Sequence, residues 1–152
     1  MPHRILTKVL QRYWRFSRAL TLGAQGAVVA EDGRVLLIRH TYRPGWHFPG
    51  GGVEKDETVE RALRRELLEE ASVEIAGAPE VFGIYSNSEQ FPSDHIVLFV
   101  VREWHQASPP RPTREIAEHG FFAPHELPDA TSAPARRRLR EIFEGVTKSP
   151  YW

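Results

Sequence analysis

Between residues 57 and 70 this 152-residue chain carries Glu57, Arg65, Glu66, Glu69 and Glu70, shortly after the run Gly50-Gly51-Gly52. Residues 58–71 contain no Gly or Pro and are dominated by Glu, Arg, Leu and Ala, which predicts a helix from Thr58 to about Ala71. On a wheel of about 100° per residue, Val59 centres an apolar stripe with Ala62, Leu63 and Leu67, and Glu66 and Glu70 fall about 20° to either side of it. Two carboxylates therefore project from the middle of the face that should pack, with Glu69 at its edge beside Arg65. Like charges at this spacing repel, and a partly desolvated carboxylate takes up a proton or finds a cation. Glycines let backbone approach a ligand closely. Three carboxylates beside exposed backbone carbonyls make an all-oxygen donor set of the kind that suits Mg²⁺ or Mn²⁺. The competing reading is a wheel displaced by one position, with Glu66 and Glu70 as ordinary solvated residues.

Other elements must position these groups. Ala27-Val28-Val29 and Val35-Leu36-Leu37-Ile38 flank the turn signal Glu31-Asp32-Gly33, which reads as a hairpin. Residues 41–52 are rich in aromatics, Pro and Gly and read as a constrained loop. Val81–Tyr85 and Ile96–Val101 read as strands, the second buried on both faces because its apolar run is continuous. Ser108–Pro112 is a loop, and Glu115–Phe122 a weaker strand. Thr131-Ser132 could cap a last helix with Leu139, Ile142 and Phe143 on one face and Arg136, Arg137, Arg138 and Arg140 mostly on a solvated one. At the N-terminus Ile5, Leu6, Val9, Leu10, Tyr13 and Trp14 recur at helical spacing among Arg4, Lys8, Arg12, Arg15 and Arg18. Residues 1–22 are thus expected to form an amphipathic helix, packed on the domain or at a dimer contact, and residues 23–152 the domain itself. Strands on both sides of a central helix, with a helix at each end, imply an α/β (α+β) sandwich with a mixed sheet.

Composition narrows the function. Twenty Lys and Arg balance twenty Asp and Glu, which disfavours a basic nucleic-acid surface. With no cysteine there is no disulfide, zinc ribbon or thiol nucleophile. No apolar run approaches the roughly 20 residues of a membrane span, and the N-terminus lacks a signal-peptide core. A single cytoplasmic domain is expected. The seven histidines show no H-x-x-x-H pair, and neither a G-x-S-x-G elbow nor a Walker loop occurs. The neutral total hides segregation: no acid precedes Glu31, whereas Glu54–Glu74 holds eight acids against Lys55, Arg61, Arg64 and Arg65.

Gly51, Glu57, Arg65-Glu66-Leu67, Glu69-Glu70 and Val73 follow the spacing G-x5-E-x7-R-E-U-x-E-E-x-G-U, where U is a bulky aliphatic residue. The segment resembles the Nudix box, with Ser72 in place of the final Gly. The resemblance implies a Nudix-type α/β/α sandwich and metal-dependent hydrolysis of the diphosphate bond in a nucleoside diphosphate linked to another group. It favours a small nucleotide substrate of ADP-ribose or nucleotide-sugar type. A nucleoside triphosphate or RNA end, or a nucleotide-sensing module without turnover, are the alternatives. It further implies that Glu66, Glu69 and Glu70, with the Gly50 carbonyl, hold Mg²⁺ or Mn²⁺, and that Gly51, Glu57 and Arg65 hold the loop–helix geometry. The general base is Glu66 or Glu115, with Glu118 a weaker candidate. Tyr42 and Trp46 could stack on a base, Arg39 and Arg43 could meet phosphate or ribose, and residues 91–95 could line the substrate side. For each of these, packing or plain solvation is the competing reading.

Overall fold

The computed structural model describes residues 10, 11 and 13–152. Nine strands and two helices follow the helical stretch at 13–17. They are β1 (Thr21–Val28), β2 (Val35–His40), β3 (Trp46–His47), β4 (Gly50–Gly52), α1 (Val59–Ala71), β5 (Glu74–Ile75), β6 (Glu80–Ser86), β7 (Asp94–Val101), β8 (Trp104–His105), β9 (Ile116–Phe122) and α2 (Ala133–Glu144).

The central helix forms where the sequence places it. Thr58 caps it by accepting the Arg61 N–H at 3.2 Å, and Ala62, Leu63, Leu67 and Ala71 are buried. Ser72, the residue that departs from the box, ends the helix in the left-handed region at φ 53°. Its N–H reaches the Leu68 carbonyl at 3.0 Å and the Val73 N–H reaches that of Leu67 at 3.1 Å, the bonds a glycine would make there.

Two sheets lie between the helices. A mixed sheet runs in the order β4-β1-β7-β6, with β1 parallel to β7 and the other pairs antiparallel. An antiparallel sheet runs β3-β2-β9. The expected hairpin is therefore corrected. The Ala30–Arg34 turn forms, but the two strands meet at the single bridge Val29↔Val35 and then enter different sheets. The reason is burial: Val35, Leu36, Leu37 and Ile38 are all fully covered, so β2 has no wet face of the usual hairpin kind.

Strand alternation sorts the core. Ala24, Val28, Leu36, Val97, Phe99 and Val101 pack with α1, whereas Ala27, Val35, Leu37, Ile96, Leu98 and Val100 pack with Ala135 and Leu139 of α2. This is the expected α/β/α sandwich, with β7 buried on both faces. Among the described residues no helix is long and apolar enough to cross a membrane.

The helix α2 overturns one expectation. Ser132 caps it as anticipated, and Arg137 and Arg140 are exposed as expected, but Arg138 is not part of a solvated face. Arg138 is fully buried, paired with Glu141 at 2.8 Å, bonded to the Tyr151 carbonyl at 2.7 Å and lying 4.2 Å over the Tyr85 ring. Arg136 donates to the carbonyls of Pro128, Asp129 and Thr131, and Arg137 to that of Trp152. Guanidinium forks satisfy backbone carbonyls that a charge-blind helical wheel leaves out. Phe143 is instead exposed.

Of the N-terminal expectation, residues 1–9 and Arg12 lie outside the described residues. Within the described part the helical stretch ends at 17 and Thr21 and Leu22 already pair in β1, which corrects the expected boundary at 22; Tyr13, Phe16 and Leu20 are exposed.

Two stability outcomes follow. Ser72→Gly relieves a left-handed strain of roughly 1 kcal/mol and should raise unfolding free energy by about 0.5–1 kcal/mol in a denaturant titration. Glu141→Ala leaves Arg138 buried without its counter-charge and should lower it by about 3–5 kcal/mol.

Candidate active site

The glycine strand β4 pairs antiparallel with β1 in the register Gly23↔Gly52, Ala24↔Gly51, Gln25↔Gly50. At Gly50, φ is +144° and a side chain would collide with the Ala24 carbonyl, so only glycine fits. Its N–H donates to Glu70 Oε2 at 2.8 Å, which ties β4 to the last turn of α1. At Gly51 a Cβ would come within 2.5–2.8 Å of the Glu66 carboxylate. Gly26 of β1 serves the same junction, because a Cβ there would press on the Leu63 and Leu67 methyls at 3.2–3.3 Å. Glycine at these positions lets α1 approach the sheet with its carboxylates directed at the loop.

Arg65 is the organising cation. It grips Glu57 through Nε and Nη2 at 3.1 and 3.0 Å, donates to the Gly52 carbonyl at 3.1 Å and contacts Glu66 Oε1 at 2.5 Å. Glu69 lies farther off, 3.7 Å from Nη1, and is largely exposed. The bidentate pair, with the Glu54 N–H also donating to Glu57, holds the Glu57 carboxyl below the usual range. The same two carboxylates, Glu57 before Glu66, raise the affinity of Arg65 for its proton.

Glu70 has the opposite environment. Burial pushes its carboxyl up to about 7, against the Gly50 N–H that lowers it, and repulsion from Glu66, Glu115 and Glu69 adds to the rise. Glu115 stands just before β9, beside Thr41, whose N–H bonds the Glu115 carbonyl at 2.8 Å. The Tyr42 hydroxyl is raised by burial and then by Glu70 and Glu115, which places it in the same field. Five carboxylates, Glu57 included, thus share one region with Arg65 and, beside Tyr42, Arg43, a surplus of negative charge that fits a hard divalent cation. Among the described residues, no three His, Asp or Glu side chains are already arranged to hold one ion directly. That suits Mg²⁺, which commonly takes one or two carboxylates and completes its shell with water and substrate phosphate.

Beside this region lies a cleft of about 380 Å³ lined by Gly50–Gly52, His40, Tyr42 and Arg43, with Asn87, Phe91, Asp94 and Trp152 among its remaining walls. Tyr42, Arg43 and the 91–95 loop are therefore brought together. Two other expected substrate contacts are not. Arg39 is paired across the sheet with Glu118 at 2.8 and 3.0 Å, a register contact that occupies both side chains. Trp46 packs edge-on against Phe122 at 4.9 Å and touches the α2 entrance through its backbone. Asn87 and Trp152 were missed by the sequence reading. No local pattern marks either: Trp152 reaches the cleft through bonds from Arg137 and to Ser86 and through ring contacts with Tyr85 and Phe48.

A family model described as the NUDIX domain matches residues 20–143. The chain is 30% identical over 126 residues to a MutT-like protein of Streptomyces ambofaciens, covering 83% of this chain and 79% of that one. It is 38% identical over 137 residues to an RNA pyrophosphohydrolase of Halorhodospira halophila, covering 84% of this chain and 65% of that one. A MutT NUDIX hydrolase structure from Burkholderia pseudomallei superposes with a TM-score of 0.68 at 27% identity, covering 84% of this chain and 98% of that one.

The raised Glu70 carboxyl fixes a sign. Between its unfolded value near 4.5 and about 7 the folded chain holds a proton that the unfolded chain has lost, so metal-free stability falls as pH rises through that window. A cation competes with that proton, so added Mg²⁺ should raise the melting temperature more at about pH 8 than at about pH 6. Glu70→Gln should flatten both effects in thermal unfolding scans.

Proposed function

The chain belongs to the NUDIX domain family, and from that membership we propose that it hydrolyses the phosphoanhydride bond of a small nucleoside diphosphate derivative, ADP-ribose and nucleotide sugars included. The observation that carries this reading is Glu70, half-buried, bonded to Gly50 of the cleft wall and within the field of three further carboxylates. Glu66, Glu69 and Glu70, with the Gly50 carbonyl, would hold the divalent cation, one or two of the carboxylates directly and the rest through its coordinated water. Bound Mg²⁺ or Mn²⁺ supplies charge neutralisation at phosphate oxygens and a more acidic water.

The remaining steps fall to the chain's own groups. Water attacks phosphorus, the bridging P–O bond breaks, and the water proton passes to a carboxylate. We assign that acceptor to Glu115, because Glu66 is engaged by Arg65 whereas Glu115 stands exposed within the field of Glu70. Arg65 and Glu57 hold α1 and β4 in register, and Arg43 is the cationic side chain of the cleft wall that can meet a phosphate.

A small substrate is favoured over an RNA end. The cleft has the size of a nucleoside-scale pocket. A net charge of zero offers no extended basic track for a polynucleotide.

Incubating the purified protein with Mg²⁺ and a panel of nucleoside triphosphates, nucleotide sugars, dinucleotides and ADP-ribose tests the reading. Metal-dependent anhydride cleavage is expected, lost in Glu70→Gln and lowered roughly 10²–10⁴-fold in kcat by Glu115→Gln. Turnover of Glu70→Gln at the parent rate would sink the metal assignment.

A further inference from the structure

On the nucleotide reading of the cleft, we propose that Asp94, held in place by Thr21 and Asn87, reads the Watson–Crick edge of the substrate's base and selects guanine.

Asp94 opens β7 and pairs in parallel register with Thr21 of β1, the strand that carries β4 on its other edge. Its Oδ1 accepts the Thr21 hydroxyl at 2.7 Å and its Oδ2 accepts the Asn87 amide at 2.7 Å. Asn87 is itself fixed by backbone bonds, its N–H to the Asp94 carbonyl and its carbonyl from Gln90 and Phe91. The carboxylate is thus oriented without being used up: each oxygen keeps acceptor capacity, and Asn87 keeps one amide hydrogen and its Oδ1. Among the described residues no cation lies within ion-pair distance of Asp94.

An acid without a counter-ion in a cleft that receives a polyanion has a clear chemical consequence. It repels phosphate and is not among the carboxylates that act on Glu70, so it belongs at the end away from the phosphates, where a base would lie. There it demands donors. Guanine alone among the common bases presents two adjacent N–H donors, N1–H and N2–H, with an acceptor O6 beside them for the spare Asn87 amide hydrogen. Adenine and cytosine set an acceptor nitrogen next to their amino group, and uracil flanks its single N–H with two carbonyls. Each would bring a lone pair against the carboxylate. Phe91, more than half exposed on the same wall, offers the ring face on which such a base stacks.

The test uses a matched pair, GDP-glucose and ADP-glucose with Mg²⁺, which differ only in the base. The expected result is a preference for GDP-glucose of roughly 10-fold or more in kcat/KM, the scale of one bidentate base contact. Asp94→Asn, which keeps the shape and can still bond Thr21 and Asn87, should erase the preference with the change carried in KM. Equal rates for both sugars, or a preference that survives in Asp94→Asn, overturns the proposal. Calorimetric binding of GMP and AMP without metal separates it from the hydrolysis reading. GMP bound over AMP, and lost in Asp94→Asn, supports guanine selection even if neither sugar is cleaved. Equal binding of the two, or binding of neither, overturns it.

Discussion

The structure is organised around a repulsion. Glu66 and Glu70 stand on a helix face that also has to pack on a sheet, and Glu69 and Glu115 add charge to the same region. Such a cluster is stable only if each carboxylate has a proton, a donor or a cation. Each neighbouring feature answers one of these needs. Arg65 serves Glu57 and Glu66 together, and the Gly50 N–H serves Glu70. The backbone twist that directs that N–H is open only to glycine.

The same constraint couples distant parts of the chain. The register of β4 on β1 sets where the Gly50 N–H stands along α1. The seating of Leu63 and Leu67 over Gly26 sets how close α1 lies to the sheet. Shifting β4 by one residue would put a glycine with other torsions opposite Glu70 and reverse which carbonyls face the helix. Arg65 resists such a slip, since it holds both Glu57 at the start of the loop–helix junction and the Gly52 carbonyl at the end of the strand.

What was legible in the sequence was what depends on local periodicity. The Gly- and Pro-free run of helix formers gave α1 its bounds, the 3.6-residue stripe singled out Glu66 and Glu70, and the unbroken apolar run gave β7 two buried faces. The box spacing pointed to Gly51, Glu57 and Arg65, and all three meet around the same junction. What failed depends on partners far along the chain. Nothing near Val35 reveals that β2 leaves β1 for β9, because its pairing partners lie between residues 116 and 122. Arg138 reads as solvated until Tyr85, Glu141 and Tyr151 are brought around it. Arg39 and Trp46 read as ligand contacts because each is a good one chemically, yet Glu118 and Phe122 on the facing strand occupy them first. Of the far wall of the cleft, the 91–95 loop was legible as a compact local turn, whereas Trp152 is brought there by tertiary contacts alone.

This also explains how a chain with twenty arginines and lysines presents so little positive charge to its own cleft. Arg65 is committed to carboxylates, Arg39 to Glu118, and Arg136, Arg137 and Arg138 to backbone carbonyls and a buried acid. These guanidiniums act as structural forks: Arg65, Arg39 and Arg138 are neutralised by the acids they grip, and Arg136 and Arg137 are held by carbonyls. Arg43 remains on the cleft wall, too little to offset a diphosphate approaching several acids. On the proposed reading the balance arrives with the substrate, as a divalent cation whose charge completes the site. Binding of the anion and of the cation is then one coupled event, in which each raises the affinity for the other. Basic residues build the scaffold and acids build the site, so the neutral total reflects a division of labour between the two.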